Sequence, residues 1–226
     1  MKALFASIAR RYDRMNRIMS LALDRRWRRK ALDAVDVPSS GACVLDLACG
    51  TGDFTIELLR KFPSIKVTGA DITPEMLEIA KAKLAGQGSV RFVVADAQNL
   101  SVFDAETFAL AVCAFGFRNF PDKRKALAEC HRVLRQSGEL VVLEFFRPEN
   151  KVLGLTVNAW LAIIACLFCG RKNKEYAYLR KSVSDTVSVA EFSAMARDAG
   201  FDVANVRSMF PSATALLLRK RHEGTS

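Results

Sequence analysis

Asp46, Gly50, Gly52 and Asp53 are crowded into the run Val44-Leu45-Asp46-Leu47-Ala48-Cys49-Gly50-Thr51-Gly52-Asp53. Glycines in a turn let backbone N–H groups approach a ligand, because no Cβ stands in the way. A pyrophosphate would call for G-x-G-x-x-G, yet this turn stops at its second glycine, and Ala48 occupies the first glycine position. Asp53 then opens the next segment, where a carboxylate would repel phosphate. Two carboxylates bracketing the turn suit a cationic ligand that carries hydroxyls and an amino group. A plain strand–turn–helix connection is the bland alternative for so short a motif.

More chemistry lies downstream. Asp71, followed by Ile72, and Asp96, followed by Ala97, each close an apolar run. A carboxylate at the first position can accept two ribose hydroxyls, and one at the second can hold a base. Each could also be a simple capping aspartate. Ala114-Phe115-Gly116-Phe117-Arg118-Asn119-Phe120 ends another apolar run. Gly116 permits a bend, and Arg118 brings a fixed cation with a fork of donors, suited to stabilising a phenolate. Pairing of Arg118 with Asp122 on the surface is the alternative. Neither Asn-Pro-Pro-Tyr nor Pro-Cys occurs, which argues against methylation of a nucleic-acid base at nitrogen or at cytosine carbon.

Alternating elements must position these residues. Strands are expected at 42–48, 66–71, 90–96, 108–115 and 139–146. Helices are expected from Phe54 to about Lys61, from Pro74 (behind Thr73 as cap) to Leu84, and over 123–134, with Ser137-Gly138 as a turn. This rhythm predicts a doubly wound parallel sheet. A helix over 189–199, closed by Gly200, precedes a last pair of strands at 201–209 and 213–218. Phe5, Ile8, Tyr12, Met15 and Met19 recur at helical spacing in the N-terminal segment.

The 226 residues suit one domain, 1–226, with residues 1–40 as a helical lid and 147–187 as a helical insertion. The net charge is +10, and residues 1–40 hold ten Lys/Arg against four Asp. Such a patch favours an anionic surface, or is simply a solvated helix face. No nucleic-acid motif accompanies it. Residues 152–170 carry no charge, but Thr156, Asn158 and two glycines weaken a membrane span, so interfacial contact is expected. Cys166 and Cys169 lack a second pair, and His131 and His222 are the only histidines, so no metal site is expected. The cysteines read as reduced thiols of a cytoplasmic protein.

The glycine turn resembles the donor loop of class I S-adenosylmethionine-dependent methyltransferases. Across nearly the whole chain the resemblance is to the ubiquinone/menaquinone biosynthesis C-methyltransferase family. Tyr12-Asp13-Arg14-Met15-Asn16, Met19-Ser20, Trp27, Val44–Asp53 and Gly116-Phe117-Arg118-Asn119 carry it. So do Arg132–Arg135, Leu143-Glu144-Phe145, Tyr176–Leu179, Ser182 and Ala199-Gly200-Phe201. Asp24 stands where a histidine is usual, Ala114 where a serine is usual, and Gln136-Ser137 replaces Pro-Gly.

The resemblance implies a Rossmann-like, seven-stranded, mostly parallel sheet with an antiparallel terminal hairpin. It implies S-adenosylmethionine as donor, held by Asp46, Gly50, Thr51, Gly52, Asp71, Ile72, Asp96, Ala97 and Ala114. It further implies methylation of a prenylated quinol ring by a site that includes Arg118, Asn119, Tyr12 and Asn16. Tyr178 would help to close over the ring, and Asp24 could take a proton. Demethylmenaquinol is the expected acceptor. A polyprenyl benzoquinol, or O- or N-methylation of another small apolar molecule, is the alternative. A non-catalytic subunit or RNA-binding module that keeps the fold is a third reading, against which the intact loop argues. A bilayer-borne acceptor implies peripheral association with the inner face of an anionic membrane.

Overall fold

The computed structural model describes residues 17, 20, 22–36, 38–148, 185–209 and 213–221. Seven strands form one sheet in the order β3-β2-β1-β4-β5-β7-β6. They are β1 (Cys43–Leu47), β2 (Lys66–Asp71), β3 (Val90–Val94), β4 (Phe108–Ala114), β5 (Leu134–Glu144), β6 (Phe201–Met209) and β7 (Ala213–Lys220). The first five are parallel, and β7 runs antiparallel between β5 and β6. Sequence order reverses between β1 and β4, which opens the crevice at the carboxyl ends of the strands where doubly wound sheets bind ligands.

Period-two alternation divides the core between the sheet's faces. Val44, Leu110, Val112, Val141, Leu143 and Leu217 pack with Trp27, Leu32, Phe54 and Leu58. Leu45, Leu47, Ala111, Cys113, Leu140, Val142, Leu216 and Leu218 pack on the other side with Leu127, Cys130, Phe192 and Phe201. The first group belongs with helices α1 (Asp24–Ala31) and α2 (Asp53–Lys61). The second belongs with α4 (Lys123–Val133) and α5 (Val189–Asp198), while α3 (Pro74–Lys83) follows β2.

Two expectations change. β5 begins at Leu134, directly after α4, not at Glu139. Leu134 pairs with Phe108, the ladder slips, and Glu139 pairs with Leu110, so Ser137 (φ 58°) and Gly138 form a bulge within the strand instead of a separate turn. The proposed lid over 1–40 also divides. Trp27, Ala31, Leu32 and Val35 are buried in the core, so this part is a fixed layer of the domain. Tyr12, Asn16, Tyr178, the apolar run 152–170, Cys166 and Cys169 lie outside the described residues. Among the described residues no helix is long and apolar enough to cross a membrane, and no cluster of three His, Cys, Asp or Glu could hold a metal.

Candidate active site

The turn after β1 is held by its neighbour strand. Gly50 (φ 54°) donates its N–H to Asp71 Oδ2 at 2.9 Å, and Asp71 Oδ1 accepts from Thr73 N at 2.8 Å. Asp71 thus secures two turns at once, and Thr73 begins α3 with no cap bond from its own side chain. The Thr73 side chain and the Ile72 N–H hydrogen-bond to the same carboxylate. Burial raises the Asp71 pKa, against the backbone N–H bonds that lower it. Ala48 (φ 53°) adopts the left-handed conformation that a glycine would take more readily. Gly52 takes φ 83°, in the left-handed region. A Cβ there would meet Leu84 Cδ1 at 3.0 Å and Ala80 Cβ at 3.3 Å, so its role is to let α2 start close against α3.

A cavity of about 250 Å³ opens at the switch point. Leu47, Ala48, Gly50, Asp71, Ile72, Thr73, Met76, Ala95, Asp96, Ala97 and Gln98 form one end, and Ala114, Phe115, Gly116, Asn119, Phe120 and Pro121 the other. Asp96 Oδ1 accepts from Gln98 N at 2.9 Å, which orients the carboxylate. Among the described residues the far end is apolar except for Asn119, whose Nδ2 donates to Phe115 O at 3.2 Å. Gly116 is required sterically: a Cβ would sit 2.7 Å from Cys113 Sγ and 2.9 Å from Ala48 Cβ. Phe115 takes φ 59°, an outlier for an aromatic residue of the kind that collects at functional sites.

A second, much smaller cavity shares Ala48, Gly50 and Ala114 with the first and adds Arg28, Asp46, Cys49, Thr51, Asp53 and Phe54. Asp46 is buried and accepts from Thr55 Oγ1 at 2.6 Å. Burial lifts its pKa to about 7, against the opposing pull of the Thr55 hydroxyl and the Arg28 charge. Asp53, the other bracketing carboxylate, is neutralised by Lys83 at 2.9 Å, and the same ammonium reaches Thr51 Oγ1. Burial pushes the Cys49 thiol well up, so it is no thiolate nucleophile.

Of the expected donor-site residues, Gly50, Asp71, Ile72, Asp96, Ala97 and Ala114 line the large cavity, while Asp46 and Thr51 line the small one. Asn119 lines the far end of the large cavity. Arg118 lines neither. Its guanidinium donates to Glu144 Oε1 at 2.6 Å and to Phe115 O at 2.9 Å, with side-chain exposures of 8% for Arg118 and 1% for Glu144. The surface pair with Asp122 does not form, because Asp122 caps α4 through Lys125 N. Asp24 is likewise committed. It accepts from Arg28 Nη1 at 2.5 Å and from Ser20 Oγ at 3.1 Å.

Arg28 is inconspicuous in the sequence because it sits in a basic run that resembles a solvated face. A signal was present: Asp24, Trp27, Arg28 and Ala31 recur at helical spacing, and they form the buried face of α1.

The model of the ubiE/COQ5 methyltransferase family matches residues 1–217. The chain is 43% identical to the demethylmenaquinone methyltransferase of Deinococcus radiodurans, over 88% of this chain and 83% of that protein. It is 38% identical to the ubiquinone/menaquinone biosynthesis C-methyltransferase UbiE of Citrifermentans bemidjiense, over 88% and 87%. A SAM-dependent methyltransferase from Aquifex aeolicus shares the fold, with a TM-score of 0.63 at 19% identity, covering 85% of this chain and 88% of that one.

Proposed function

Because the chain belongs to the ubiE/COQ5 methyltransferase family, we propose that it transfers a methyl group from S-adenosylmethionine to a ring carbon of a prenylated quinol, demethylmenaquinol first among them. One observation carries this reading. A polar cradle at the ends of β1–β3 opens into an apolar end walled by Phe115, Phe120 and Pro121, with Asn119 as its polar side chain. The relatives' names supply the class of acceptor that such an end would take.

The residues present fit the donor. Asp71, on the cavity wall, suits ribose hydroxyls, and Asp96, oriented by Gln98, suits an amino group on the base. Gly50 keeps the backbone close, Ala97 and Ile72 flank the base, and Asp46, Thr51 and Ala114 face the amino-acid end. Bound there, the donor supplies an electrophilic methyl carbon.

This chain's part is to bind, orient and keep water out. A quinol carbon becomes nucleophilic when the neighbouring hydroxyl ionises. Asn119 is the side chain we assign to that oxygen. Arg118 acts as a positioning residue: anchored by Glu144, it donates to Phe115 O and so fixes the Gly116–Asn119 turn. Phe115 and Phe120 exclude solvent, which strengthens every polar contact inside. Tyr12 and Asn16 are assigned to covering the ring, and the basic N-terminal segment, including the exposed Arg25 and Arg26, to an anionic membrane surface. The protein would then work in the cytoplasm, at the inner face of the membrane that holds its substrate.

Extraction of quinones from cells lacking this protein tests the reading. A demethylated quinone should accumulate, and an unchanged quinone profile would refute it.

A further inference from the structure

The donor's amino-acid end is a zwitterion, and the cradle described so far accounts for only one of its charges. Its ammonium can be met by Asp46. Its carboxylate needs a cation or a set of N–H donors. Among the described residues lining the two joined cavities there is one cation, Arg28. We propose that Arg28 receives the carboxylate of the methyl donor's amino-acid end, in the small cavity that it walls with Asp46, Gly50 and Thr51. The inference rests on the donor part of the function proposed above and is independent of the acceptor.

Three features of Arg28 support this. Its Nε–H is buried and has no acceptor among the described residues. An unmet buried donor costs about 1–3 kcal/mol, so a native structure keeps one for a reason. The side chain is also set in place beforehand. Ser20 orients Asp24, Asp24 holds Nη1, and the guanidinium lies over the Phe115 ring at 5.7 Å. One edge of the planar fork is thereby fixed, and bidentate recognition of a carboxylate uses the remaining donors. Finally, α1 is core, so it delivers Arg28 to the end of β1 without any closing movement. A guanidinium buried only to serve Asp24 would need neither the cavity nor the spare donor.

The experiment is calorimetric binding to the full chain, with no acceptor present. The probes are S-adenosylhomocysteine and its decarboxylated analogue, S-adenosyl-3-thiopropylamine, which keeps the amine. Arg28→Gln should weaken S-adenosylhomocysteine by about 30-fold, the worth of a charged hydrogen bond. Affinity for the decarboxylated analogue should stay within about twofold. Arg28→Gln leaves Asp24 buried without its cation, so the pair Asp24→Asn with Arg28→Gln provides a second variant without that charge, and the same selective loss is expected. Arg28→Lys should recover part of it. Equal weakening of both probes, or no weakening of either, overturns the proposal. If the unaltered protein binds neither probe, the donor reading itself falls. Failure of quinol turnover alone touches only the acceptor reading.

Discussion

Replacing Asp46 by asparagine should make the donor-free protein more stable at alkaline pH, an unusual result for a residue in a binding loop. Asp46 is buried, and its pKa rises from 3.8 to about 7. A carboxylate with a raised folded-state pKa prefers its neutral form in the fold. Its contribution is therefore fully present below pH 3.8 and is lost as pH climbs towards 7. A rise of that size corresponds to about 4 kcal/mol overall, more than half of which falls between pH 5 and pH 8. Asparagine keeps an oxygen for the Thr55 hydroxyl, now 2.6 Å from the carboxylate, and it does not titrate. Denaturant unfolding of both proteins at pH 5 and pH 8 isolates the term, because Asp71 and every other titrating group remain in each. The unaltered chain should lose a few kcal/mol relative to Asp46→Asn across that interval. Parallel stabilities at the two pH values would refute the reasoning. Binding of a cationic donor should draw Asp46 back to its ionised form, so proton release on binding near pH 7 should vanish in the variant.

Other outcomes follow from packing and pairing. Gly116→Ala places a Cβ against Cys113 Sγ and Ala48 Cβ, and should cost about 1–3 kcal/mol in unfolding together with weaker donor binding. Arg118→Met strands the buried Glu144 carboxylate and should cost about 3–5 kcal/mol. Adding Glu144→Gln should recover much of that stability while quinol turnover stays low, and calorimetric unfolding alongside a kcat and KM comparison reads both. Tyr12→Phe and Asn16→Ala should lower quinol turnover with donor affinity unchanged. Turnover equal to that of the unaltered protein would show that these residues do not cover the ring.

The alternation of strands and helices was legible because local periodicity encodes it. The same holds for the carboxylates at the ends of β1 and β2 and just past β3, since chain order in a doubly wound sheet brings them to one crevice. What stayed hidden depends on pairings distant in sequence. Arg118 finds Glu144 on the neighbouring strand, 26 residues away, in place of Asp122 nearby. Lys83 neutralises Asp53 from the end of another helix. The start of β5 was misplaced because Ser137-Gly138 resembles a turn, whereas the ladder with β4 absorbs both residues as a bulge. Arg28 was masked by the charges around it, although its helical phase with Trp27 marked it as buried.

Ring methylation is tested most directly by transfer of a labelled methyl group. The full-length protein should be supplied with methyl-labelled S-adenosylmethionine and demethylmenaquinol in detergent or lipid, and the product analysed for the methylated position. The account predicts label on a ring carbon and little in an ether or amine. Label on oxygen or nitrogen, or no transfer by a protein that binds S-adenosylhomocysteine, would contradict it.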